Sequence, residues 1–262
     1  MDLIYWIIIF SLLGGVISVL AASVFLLIPE PHRSRILPHS VSFAIGALLG
    51  AAFLALLPHA ITGPQRMEVH DLGLTVLLGM LSFFILEKLV IWRHCHTTHC
   101  EAHTPHEHHE AHNHKVAGSM ILIGDGLHNL VDGVLIAAAF MTDIHLGIVT
   151  SLAVATHEIP QEVGDFAVLL NNGFSRGKAL LYNVLVSLTT LVGALLAYYS
   201  LSGMNQILPY VLAVAAASFI YVALSDLIPG LHKRTQMKAT VQQVVLIVSG
   251  VLVIYLAHST LH

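Results

Sequence analysis

Eight predominantly apolar stretches divide this chain: about 3–28, 39–61, 72–92, 116–142, 144–170, 179–204, 207–231 and 240–261. A bilayer core about 30 Å thick needs roughly 20 apolar residues per helix, and backbone inside it must satisfy its own hydrogen bonds. The pattern therefore predicts an all-α polytopic membrane protein, with eight transmembrane helices forming one domain over residues 1–262. Composition agrees, because only 10% of residues are charged while 56% are hydrophobic. A soluble domain carries about 25% charged residues. The first stretch runs 26 uncharged residues with no basic segment before it, so it reads as a retained span rather than a cleaved signal. Breakers such as Pro29, Pro31, Pro38, Gly63 and Pro64 mark the short connections.

Orientation follows from the basic residues. With both termini outside, the cytoplasmic face collects Arg33, Arg35, Arg93, Lys115, Arg176, Lys178, Lys233, Arg234 and Lys238, nine of the eleven Lys and Arg residues. Arg66 alone falls outside, and Lys88 lies within the third span near its inner end. The net charge of −4 supplies no basic surface for nucleic acid.

One connection is long. Residues 94–115 carry nine of the 19 histidines, together with the only cysteines, Cys95 and Cys100. Imidazole and thiolate suit zinc and similar borderline metals. The stretch has no apolar pattern, so it reads as a cytoplasmic loop that captures metal weakly and orders on binding. Two cysteines on the reducing side form no disulfide framework.

The sharper signal is intramembrane. Span four contains Asp125, His128, Asn129 and Asp132; span five contains His157, Glu158, Gln161, Glu162 and Asp165. Five of the fifteen carboxylates thus sit in two consecutive apolar helices, and no Lys or Arg occurs between Lys115 and Arg176. One charge at the bilayer centre costs about 2.5–3.5 kcal/mol on insertion scales. The carboxylates are therefore either protonated or neutralised by an external cation. His128 and Asp132 are four residues apart and share a face, as do His157 with Gln161 and Glu158 with Glu162. A short turn near Asp143 lets the two faces meet, giving a mixed nitrogen and oxygen pocket suited to a divalent transition metal. Asp125 and Asp165 read as supporting or proton-carrying groups. Gly124, Gly126, Gly133 and Gly164, and the Gly46/Gly50 pair in span two, read as close helix contacts.

These residues carry a resemblance. The chain resembles the ZIP (Zrt-, Irt-like) metal transporters, in particular the branch with a His-Glu-x-Pro-His-Glu-x-Gly-Asp fifth span. Here that span reads His157-Glu158-Ile159-Pro160-Gln161-Glu162-Val163-Gly164-Asp165, preceded by GDGLHNLVDG over 124–133. Gln161 stands where the branch usually has His, a weak amide in place of a strong imidazole ligand. The resemblance implies uptake of zinc, with iron, manganese, cobalt and cadmium as other candidate ions, through a centre between spans four and five that can hold two ions. By position His128, Asp132, His157 and Gln161 are the implied ligands, with Asn129, Glu158 and Glu162 completing or bridging the centre. It further implies that spans one, four, five and six move against spans two, three, seven and eight. His59 would pass metal inward and Asp226 would help release it. The implied setting is a cell (plasma or inner) membrane, with an organelle membrane as the alternative. The implied partners are the metal ion and the lipid bilayer, with a homodimer as a candidate assembly.

Two rivals are weaker. An intramembrane zinc metalloprotease would use a His-Glu-x-x-His motif, but Gln161 occupies its last position and Pro160 disturbs the helix. A metal exporter of the cation-diffusion type resembles a six-span design with a cytoplasmic C-terminal domain, whereas the eighth span here runs to the end of the sequence. A transporter, not an enzyme, is the expectation.

Overall fold

A computed structural model describes residues 2–63, 65–92, 113–232 and 236–261, with no strand among them. Eight long helices follow in order. They are α1 (Leu3–Phe25), α2 (Glu30–Thr62), α3 (Val69–Trp92), α4 (Asn113–Thr142), α5 (Ile144–Asn171), α6 (Arg176–Leu201), α7 (Asn205–His232, opening with a 3-10 turn) and α8 (Met237–Leu261). The His-rich stretch with Cys95 and Cys100 lies outside the described residues up to His112.

Several helices outrun their apolar stretches. α2 begins at Glu30, well before position 39, because Pro31 is tolerated in a first turn and the polar residues that follow are good enough helix formers outside the bilayer. Seven of the eight helices are both long and apolar enough to cross a membrane. The exception is α5, which has 28 residues but carries His157, Glu158, Gln161, Glu162 and Asp165 in its second half. The residues that lower its hydropathy are the ones its neighbours must enclose.

Two groups of four emerge from the packing. α4 packs most extensively on α6, and α1 lies against α5 and α6. α8 packs on α2, and α3 on α7, with α7 also touching α2. The groups meet where α2 lies on α5 and α7 on α4. α2 and α7 are the most enclosed helices, whereas α3 and α8 are peripheral and turn leucine and valine rows outward.

Small residues set the tightest contacts. A Cβ on Gly133 would lie 1.9 Å from the Thr190 carbonyl oxygen, and one on Gly193 would lie 2.0 Å from that of Leu130, so α4 and α6 touch backbone to backbone. Gly46 and Gly250 do the same for α2 and α8, at 1.9 Å from Ile247 O and 2.3 Å from Phe43 O. Gly164 departs from the sequence expectation: nothing lies within 4 Å of its would-be Cβ, so it is no packing contact.

Three helices carry one π-helical segment each: Leu13–Ile17 in α1, Ala51–Leu56 in α2 and Val222–Leu227 in α7. Such wide turns recur at functional sites because they free backbone groups and re-aim side chains.

Candidate metal centre

The centre starts from a hairpin. Asp143 is the one residue between α4 and α5, and its Oδ1 accepts from the backbone N–H groups of His145 at 2.8 Å and Leu146 at 3.1 Å. This N-cap satisfies two donors that the helix start leaves open. Gly147 then lets the Phe140 ring lie where a Cβ would be only 2.2 Å away. With no slack in the turn, the polar face of α4 opposes that of α5.

Four side chains converge there. One ligand atom from each of His128, Asp132, His157 and Glu158 lies within 4.8 Å of every other. The two imidazole Nε2 atoms are 3.2 Å apart. His128 Nε2 lies 3.7 Å from Asp132 Oδ2 and 3.4 Å from Glu158 Oε1. His157 Nε2 lies 3.4 Å from Asp132 Oδ2 and 3.6 Å from Glu158 Oε1. Zinc bonds of roughly 2.0 Å in a tetrahedron imply ligand-to-ligand edges of about 3.3 Å. The donor set therefore has the spacing of a tetrahedral shell, and its two carboxylate charges match a divalent ion.

The hydrogen-bond inventory points the same way. Both oxygens of Asp132 and both of Glu158 are buried without a hydrogen-bond donor. Such groups are costly to bury unpaired. His157 donates from Nδ1 to the Ala153 carbonyl at 3.2 Å, which leaves its Nε2 lone pair aimed into the group. His128 is the one member with appreciable exposure, at 21% of its side chain.

The remaining site residues divide. Asn129 turns away from the group: its amide donates to Asp125 Oδ1 at 2.9 Å, and its carbonyl accepts from Thr190 Oγ1 at 2.7 Å. Gln161 also reaches toward Asp125 Oδ1, at 3.4 Å, and not into the four-ligand cluster. A His-Glu-x-x-His arrangement thus has no counterpart, and Glu158 stands inside the donor set. Glu162 is fully buried, with both oxygens lacking a donor, yet is not one of the four.

A cavity of about 530 Å³ opens onto His128, Asp125, Gln161 and Asp165. Its far wall comes from α3 and α7 and includes Glu87, Tyr221 and Asp226. The Tyr221 hydroxyl donates to Glu87 Oε2. Asp226 thus lines the same cavity as His128. His59 lies elsewhere, with its Nδ1 donating to the Ala55 carbonyl at 2.9 Å and its ring 5.2 Å from that of His258.

Glu87 is a cavity residue with no place in the sequence expectations, and the adjacent Lys88 does not pair with it among the described residues. Adjacent helical residues point about 100° apart, and Lys88 instead lies over the Phe84 ring at 5.7 Å. Helical direction is the sequence signal that separates the two side chains.

Against known proteins, the sequence model of the ZIP zinc transporters matches residues 91–258. Zinc transporter ZIP13 of Pongo abelii is 32% identical over 228 residues, covering 82% of this chain and 65% of that protein. Zinc transporter ZIP13 of Mus musculus is 34% identical over 246 residues, covering 82% and 68%. Zinc transporter ZIP10 of Danio rerio is 42% identical over 125 residues, which are 45% of this chain and 15% of that longer protein. The chain therefore spans about two thirds of the length of the first relatives.

Proposed function

Because this chain belongs to the ZIP zinc transporter family, we propose that it carries a divalent transition metal, zinc foremost, across its membrane into the cytoplasm. The observation that supports this most directly is the set of four donors with tetrahedral spacing and no Lys or Arg paired to them among the described residues, at the head of an acid-lined cavity. Two neutral imidazoles and two carboxylates cancel the charge of one divalent ion, so loading lowers the cost of holding charge in the membrane. Imidazole with carboxylate suits zinc better than magnesium or calcium, which favour oxygen alone.

The ion enters while the donors face outside, and leaves past His128 into the cavity, where Asp125, Asp165, Glu87 and Asp226 offer successive oxygens. That route reaches the cytoplasm if both termini are outside, as the basic residues indicate. Movement of α1, α4, α5 and α6 against α2, α3, α7 and α8 alternates access. The α2 and α7 bulges lie in helices at the boundary between the groups. The four-ligand cluster holds one ion. Glu162, with two buried unpaired oxygens, is available to a second, whereas Asn129 and Gln161 are committed to Asp125. The single transmembrane domain resides in a cell membrane.

Zinc-65 uptake into proteoliposomes of defined orientation tests this reading. The native chain should show saturable uptake, and both His128→Ala and His157→Ala should abolish it. Native-level uptake in both variants would overturn the assignment.

A further inference from the structure

A second cavity, of about 300 Å³, lies at the opposite side of α5 from the metal centre's cavity walls, where the ends of α1 and α5 meet the beginnings of α2 and α6. Val24 at the end of α1 and Leu27 just beyond it, with Phe166 and Leu170 of α5, give it an apolar wall. Two guanidinium groups complete it: Arg33 in the first turn of α2 and Arg176 at the first position of α6. Neither forms an ion pair among the described residues. Arg33 Nη1 donates to the Leu26 carbonyl at 3.5 Å, the outer edge of hydrogen bonding.

The chemistry is amphiphilic. Leu27 is 78% exposed and Val24 63% exposed directly beside these cations, an arrangement that water disfavours on one side and hydrocarbon on the other. Because residues from the α1–α2 and α5–α6 connections line one cavity, both connections lie on the same face of the bundle. They lie where apolar helix flanks give way to Glu30, Asn171, Asn172 and Ser175, a change of polarity that suits the level of lipid headgroups. A free phosphate would engage the arginines but leave the apolar wall uncovered. Guanidinium forks fit phosphate oxygens bidentately, and basic pockets between transmembrane helices are a recurrent anionic-lipid site.

We infer that this groove binds an anionic phospholipid, its phosphate held by Arg33 and Arg176 and an acyl chain laid along Val24, Leu27 and Phe166. The lipid would tie the start of α2 to α5 and α6, bridging the two four-helix groups. The inference rests on the proposed function only in placing the chain in a bilayer.

Native mass spectrometry of the full chain, extracted from phosphatidylcholine nanodiscs doped with phosphatidylglycerol, tests it. The native chain should retain phosphatidylglycerol in preference to phosphatidylcholine. R33Q/R176Q should weaken retention by about fivefold per arginine, roughly 30-fold for the pair. K238Q, an exposed cation on α8, should leave retention unchanged, and S23F, which fills the groove but keeps both charges, should reduce it. Equal retention of the two lipids, no effect of R33Q/R176Q, or displacement of the lipid by inorganic phosphate alone would each overturn the inference. Zinc-65 uptake into proteoliposomes of the same lipid composition separates the two readings. Lost lipid preference with intact uptake counts against the groove alone; lipid preference without any native uptake counts against transport alone.

Discussion

His128 and Asn129 are neighbours with different tasks. About 100° of helical rotation separates them, so the imidazole faces α5 while the amide faces α6 and meets Thr190. Spacing in the sequence identifies which residues share a face, and it pairs His128 with Asp132 and His157 with Gln161; the structure keeps the first three together but adds Glu158 and turns Gln161 toward Asp125. Spacing does not say which neighbour covers the adjoining face, so Asn129 reads as a ligand until α6 is in place. Thr190→Val tests this division. It leaves the buried Asn129 carbonyl without its donor, a loss of about 1–3 kcal/mol. The melting temperature of the purified protein should fall while zinc affinity holds; a large loss of affinity at unchanged melting would make Asn129 a ligand after all. Gln161 invites the reverse experiment. Gln161→His supplies an imidazole one turn from His157, and is expected to lower the KM for zinc and slow turnover through tighter holding. Initial uptake rates over a zinc series measure both, and an unchanged pair would remove position 161 from the centre.

At the level of elements, apolar length makes seven spans legible, because the bilayer demands little else of a helix. α5 also reads as an apolar stretch over 144–170, but its polar second half keeps it below the hydropathy of the other seven. The π-helical segments are not legible: one extra residue in a turn leaves hydropathy unchanged and has no residue code. Glycine contacts are legible only in part. Gly133 and Gly164 look alike in the sequence, yet one touches a backbone and the other touches nothing. Gly133→Ala should force α4 off α6, costing at least the roughly 1–3 kcal/mol of an overpacked core and lowering the yield of monodisperse protein. Gly164→Ala should leave that yield unchanged or raise it, since alanine is the better helix former by about 1 kcal/mol. Size-exclusion profiles of the two variants distinguish them, and equal profiles would contradict the packing.

For the whole molecule, the decisive property is that the donors which bind the ion also bind protons. Imidazole must be neutral and carboxylate ionised to coordinate a metal, and an unperturbed imidazole titrates near about pH 6.5. Four donors share one point, so protons enter the same space that the ion leaves. Acidification therefore works against loading: as pH falls, protonated imidazole loses its lone pair and the centre fills with protons in place of zinc. The sign is fixed by this competition. Uptake at subsaturating zinc should decline between about pH 8 and about pH 5, and raised zinc should recover much of the loss, because competition raises the apparent KM before it lowers the maximal rate. Zinc-65 uptake across that range at low and high zinc measures both features. A rate independent of pH at low zinc would mean that the imidazoles do not carry the ion, and the four-ligand centre would then have to be assigned to structure instead of transport.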